Sequence, residues 1–132
     1  MAFQLYSTDD GHVPAWEYLP CKAITPKVGL CLAFDTVSEQ LQVSDTPEYI
    51  CMRAENAAVA AGTLIPVIRI TKEMVFESAL DAANANLKAG SLVDVDATGL
   101  LVDADSSADK VFQITALNGT AAGSSVRGRF VK

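Results

Sequence analysis

The residues best placed to do chemistry are three aspartates. Asp94-x-Asp96-x-Thr98-Gly99, with Asp105 further on, puts oxygen-bearing side chains at the first, third, fifth and twelfth positions of a calcium-type loop, and glycine at the sixth. Carboxylate and hydroxyl oxygens suit a hard cation. Against this, the twelfth residue is Asp in place of the longer, bidentate Glu, Val102 occupies the ninth position, and the flanks alternate like strands. A strand places Asp94 and Asp96 on one face without any metal, as a solvated edge that discourages aberrant pairing. Edge protection is the expected role, and no metal or other cofactor is expected.

Acid-base or nucleophilic catalysis needs a group that titrates near neutrality beside a nucleophile, and His12 is the single histidine. Ser124 and Ser125 follow a glycine, without the strand-turn-helix elbow that exposes a nucleophilic serine, and read as loop residues. No phosphate-binding loop or dinucleotide fingerprint is present. Cys21, Cys31 and Cys51 are odd in number and widely spaced, so they read as reduced, packed thiols. The expectation is a protein that is not an enzyme.

Two groups of residues are better suited to contact than to chemistry. Trp16 and Tyr18 stand between Pro14 and Pro20 in residues 1–20, which read as an extended N-terminal arm because proline disfavours helix at itself and just before. They share a face, and either cover one edge of the core or anchor the arm on a neighbouring subunit. A carbohydrate-stacking platform is a further use of the same pair. Arg127 and Arg129 form the second group, on the outward side of a final strand whose Val126, Gly128 and Phe130 face in.

Charge narrows the partners. The net charge of −6 argues against nucleic acid, whose phosphates need a basic surface. Residues 73–109 carry eight acids and only Lys88, whereas 110–132 carry four bases and no acid. The expected arrangement is an acidic edge pairing with the basic final strand. No apolar run is long enough for a membrane helix and no secretory signal opens the chain, so a protein made in the cytoplasm and free of membranes is expected.

Behind these residues the chain reads as one β-rich domain over 21–132, following the arm. Leu30, Leu32 and Phe34 alternate with small residues as in a half-buried strand, and Tyr49–Arg53 follows. Leu64–Ile70 reads as an edge strand or the start of one, because of Pro66. Residues 56–61 are open between a brief helix and a loop, and 72–87 reads as a strand through Leu80 and then a loop. Strands over 92–96, 100–104, 111–117 and 126–132 are separated by turns over 97–99, 105–109 and 118–123, and Asn118-Gly119 favours pairing of the last two. Short strands at this spacing define an all-β sandwich or barrel.

The segments 58–70, 87–100 and 123–130 resemble the small capsid decoration, or cement, proteins of tailed bacteriophages. The resemblance implies a β-barrel or β-tulip domain on the outer surface of a phage capsid. It further implies a homo-oligomer, a trimer being favoured, that is bound to the major capsid protein, stabilises the shell and does no chemistry. In that setting Trp16, Tyr18, Arg127 and Arg129 are the candidate contacts. Two other readings stand beside it, a carbohydrate- or ligand-binding β-module and a calcium-binding module.

Overall fold

The computed structural model describes residues 2–105 and 108–131. Met1, Ser106, Ser107 and Lys132 lie outside the described residues, and with them the centre of the expected 105–109 turn and the end of the last expected strand. The strands are β1 (Gln4–Thr8), β2 (Glu17–Pro20), β3 (Cys31–Phe34), β4 (Leu41–Val43), β5 (Tyr49–Cys51), β6 (Leu64–Arg69), β7 (Met74–Ala79), β8 (Leu92–Val95), β9 (Val102–Asp103), β10 (Phe112–Leu117) and β11 (Ser125–Phe130). Among the described residues there is no helix, and 56–61 is a loop. The strands form a six-stranded sheet, β1-β7-β11-β10-β8-β9, and a five-stranded sheet, β2-β6-β5-β3-β4, with antiparallel pairing throughout. Neither sheet closes into a barrel; the architecture is a sandwich.

The last strand of the six-stranded sheet alternates strictly. In β11, Val126, Gly128 and Phe130 are buried while Ser125, Arg127 and Arg129 lie on the other face. Its inner face centres on Phe130, whose ring lies 5.0 Å from Phe112 and 5.4 Å from both Phe3 and Phe76. Gly128 makes this cluster possible. A Cβ there would overlap the Gln113 carbonyl and stand 2.6 Å from the Phe112 ring, so only the smallest residue leaves room for that ring. Cys31, Ile50 and Ile68 of the five-stranded sheet close this core from the opposite side.

The five-stranded sheet is buried on both faces. Leu30, Leu32 and Phe34 share a face as expected, and they pack with Tyr49, Cys51, Ile65 and Val67 into a second cluster away from the sandwich interior. The half-buried expectation for β3 fails because its other face is covered too, with Cys31 fully buried in the main core. What covers the second face is irregular chain. Ile24 and Val59 pack onto the cluster, and the loops that carry them are tied together by Val59 N–H to the Ile24 carbonyl (2.9 Å) and Glu55 N–H to the Pro26 carbonyl (3.0 Å). Continuous burial along β5 and the middle of β6 is the signature of a sheet covered on both sides.

Pro66 was expected to mark an edge or a strand start, yet β6 lies between β2 and β5. The physical reason is register. The Pro66 carbonyl accepts the Met52 N–H at 2.9 Å, so the missing proline donor falls opposite Met52, one residue beyond the end of β5, where the ladder stops anyway. Residues 72–87 give β7, a bridge between Leu80 and Val102, and then a loop. β10 and β11 pair as the Asn-Gly turn predicts. Residues 2–20 supply an edge strand to each sheet, β1 beside β7 and β2 beside β6, joined by a loop that turns at Asp9 and Asp10, with Phe3 sunk in the main core.

Candidate functional site

The three aspartates are held by the protein itself. Asp94 is 4% exposed, and its carboxylate accepts the backbone N–H groups of Ala108 (2.9 Å), Asp109 (3.1 Å) and Lys110 (2.7 Å). Asp96 is also buried and accepts the Thr98 hydroxyl at 2.6 Å and the Leu101 N–H at 3.3 Å, which closes the β8–β9 turn. Asp105 is exposed, and its N–H donates to Asp103. The solvated-edge expectation for Asp94 and Asp96 fails, since β8 lies between β10 and β9 and both carboxylates fasten backbone that has no strand partner. Among the described residues no three His, Cys, Asp or Glu side chains gather as a metal site.

Arg127 and Arg129 do point outward from β11, and each is engaged. Arg127 donates to Glu77 at 2.8 Å and lies over the Tyr6 ring at 3.9 Å from its centroid. Arg129 makes two bonds to the Asp9 carboxylate, at 2.8 and 2.9 Å, and a third to the Lys72 carbonyl at 3.1 Å. These bonds hold the Asp9 carboxyl below its usual range. The acidic segment pairs with the final strand through Glu77, while the partner of Arg129 comes from the N-terminal segment. Both arginines brace the outer face of the six-stranded sheet.

Trp16 and Tyr18 lie elsewhere, on the free margin of the five-stranded sheet. They are 53% and 58% exposed, so they do not cover the core. Tyr18 pairs in register with Pro66 and Pro20 with Leu64, which puts Tyr18 and Leu64 on the face of β6 that carries Ile68 inward. Ile68 is buried there while Leu64 is 57% exposed, so the six-stranded sheet stops short of this margin. The result is an exposed strip of Trp16, Tyr18 and Leu64. Leu64 could not be found from the sequence, because it joins the strip only through the long-range pairing of β2 with β6.

Beside the strip, the loop that carries the chain from β1 to β2 walls an open groove of about 480 Å³, lined among others by Asp10, His12, Pro14, Glu17, Arg69 and Glu73. His12 serves the turn through its backbone, donating to Asp10 at 2.9 Å and accepting from the Thr8 hydroxyl at 3.0 Å. Arg69 bonds Glu17 at 3.4 Å and lies over the Tyr49 ring. Asp10 and Glu73 have no ion-pair partner among the described residues. The groove is therefore net acidic next to an apolar strip.

The thiols take no part in this surface. Cys21, Cys31 and Cys51 are free and fully buried. Burial raises the pKa of each, most strongly for Cys31, to which the Asp96 charge also contributes. Unreactive packed thiols are what such an environment produces. The sequence matches no protein-family model and no curated protein.

Proposed function

We propose that this chain is a non-enzymatic structural protein that binds the outer surface of a phage capsid and stabilises the shell, with Trp16 and Tyr18 at the contact. The observation that carries the docking part is the exposed strip of Trp16, Tyr18 and Leu64 on the edge of a sheet that is otherwise covered on both faces. Large aromatic groups left in water at a rigid edge gain free energy when a partner covers them. The capsid part rests on the resemblance of segments 58–70, 87–100 and 123–130, with which a small all-β sandwich agrees. Arg127 and Arg129 are removed from the contact set, because intramolecular ion pairs already engage them.

A modest patch suffices for this role, since many copies on one shell act together. The proposed assembly is a homo-oligomer, a trimer, on the major capsid protein. Expanded capsids that lack the protein should rupture at a lower temperature than capsids to which it has been added back; equal rupture temperatures would overturn the reading. The exposed pair also favours a second reading, a carbohydrate-binding module with a ring-stacking platform beside a polar groove. Sugar titration that shifts the emission of Trp16, the only tryptophan, would favour that second reading over the first.

A further inference from the structure

The edge of β2 carries more than apolar side chains. β2 is the outermost strand of its sheet, and its side away from β6 faces no strand until Cys21, just past its end, bridges Leu41 of β4. Antiparallel pairing sends the N–H and C=O of alternate residues to opposite sides, and two bonds fix which residues face out. The Pro66 carbonyl is directed to Met52 on the β5 side, and the Cys21 N–H is directed to Thr63 on the β6 side. With Tyr18 opposite Pro66, the residues of β2 that bond β6 are Glu17 and Leu19. The N–H and C=O of Tyr18 therefore face away from β6, directly beside the exposed rings, while past Pro20 that side meets β4, where the Leu41 carbonyl accepts the Lys22 N–H at 2.8 Å.

The other three sheet edges are blunted in the ways that discourage pairing. β4 has three residues, β9 has two, and β1 carries a register break between Leu5 and Ser7. β2 has neither a lysine nor a bulge. Its one guard is Pro20, which ends the run of outward donors without removing the Tyr18 pair.

Charge decides what fits. A second copy aligned by two-fold symmetry about Tyr18 would set the two Glu17 side chains diagonally across the new seam and bring Pro20, without a donor, opposite Trp16. Of its cations, all four arginines and Lys22 are already in ion pairs within the chain, which leaves only lysines to meet the acidic groove. The start of β2 borders that groove through Pro14, Ala15 and Glu17, and in it Asp10 and Glu73 have no ion-pair partner among the described residues.

We propose that the free edge of β2 accepts, as an added strand, an extended segment of a different polypeptide. Bulky apolar residues of that segment lie against Trp16, Tyr18 and Leu64, and a Lys or Arg enters the groove of Asp10 and Glu73. This deepens the docking reading above by naming the mode of contact and the chemistry of the partner. Backbone bonds supply affinity in such an addition, and the side-chain contacts supply selectivity.

The test uses the full chain and the emission of Trp16. The probes are a short synthetic peptide of alternating valine and threonine with lysine at both ends, and its counterpart with glutamate at both ends. The lysine peptide should shift the emission to the blue at saturation, and the glutamate peptide should bind more weakly by about tenfold. Tyr18→Pro, which removes an N–H that β6 does not use, should weaken the lysine peptide about tenfold beyond the effect of Tyr18→Ala, which keeps that N–H. Asp10→Asn with Glu73→Gln should erase the preference for lysine. Equal binding of the two peptides, equal effects of the two Tyr18 variants, or no shift at all would overturn the proposal. So would a dimer in sedimentation that Tyr18→Pro dissociates, since the edge would then belong to a second copy. If capsids are stabilised as fully by Tyr18→Pro as by the wild type, the edge proposal fails while the capsid reading stands; if the wild type does not stabilise them, the capsid reading fails alone.

Discussion

The two sheets solve the problem of a thin apolar composition differently. The six-stranded sheet buries one face and leaves the other in water, where Arg127 and Arg129 are matched by Glu77 and Asp9 and Tyr6 shields a guanidinium. The five-stranded sheet buries both faces, one in the sandwich and one beneath the loops carrying Ile24 and Val59. A sheet with a solvated face has room to keep its polar groups matched and its edges short or bulged. A sheet covered on both sides has only its rim left for contact, and Trp16 and Tyr18 sit on that rim.

The contrast can be broken at several points. The largest effect should come from Gly128→Ala on the inner face of the six-stranded sheet, where the new methyl meets a backbone carbonyl and the Phe112 ring. Overpacking against backbone should cost about 3 kcal/mol in chemical denaturation. Leu32→Ala, on the outward face of the five-stranded sheet, should cost about 2 to 3 kcal/mol, as for any buried leucine, because that face is a core. Arg127→Ala, on the corresponding outward face of the other sheet, should leave the denaturation midpoint close to the wild type. Similar costs for the last two would mean that the faces do not differ.

Smaller effects follow from burial and charge. The three thiols belong to the five-stranded sheet and its surroundings, and a thiol reagent should label none of them in the native protein and all of them in denaturant. Fast native labelling of Cys21 or Cys51 would mean that the loop cover opens readily. The smallest effect is in acid. Hydrogen bonds from Lys22 and from the Val37 N–H hold the Asp35 carboxyl at about 2, and Arg129 lowers that of Asp9. Depressed carboxyl values stabilise the folded state above the ordinary range and lose that contribution as the pH falls from about 4 toward the folded values. A denaturation series should show stability falling across that window, with Lys22→Ala flattening part of the slope.

How much of this was legible in the sequence divides along the same line. Alternation predicts the inward Val126, Gly128 and Phe130 and the outward arginines, because the six-stranded sheet has one wet face for polarity to mark. It fails for β3, where Cys31 and Leu32 are both buried on opposite sides, since no periodicity shows that loops distant in sequence will cover a second face. Pro66 misled for a related reason. A proline is excluded from a central strand only where its missing donor would have had a partner, and the end of β5 is set by pairing that the local sequence does not display. Asp94 keeps its strand position and Asp96 falls one residue past the end of β8, and neither keeps its solvent, because the loop over 108–110 returns its N–H groups to Asp94 and the turn after β8 closes on Asp96. At the candidate site, the spacing of Trp16 and Tyr18 between prolines was readable, whereas Leu64, Asp10 and Glu73 join them only through tertiary pairing.

An added strand needs the edge of β2 to be open at Tyr18. Residue-resolved amide hydrogen exchange of the free protein tests this directly. Glu17 and Leu19, which bond β6, should be protected with the sheet, while Tyr18 between them should exchange at a rate close to that of unstructured chain. Protection of Tyr18 equal to that of its two neighbours, at a concentration where the protein is monomeric, would show that the edge is closed and would contradict the account.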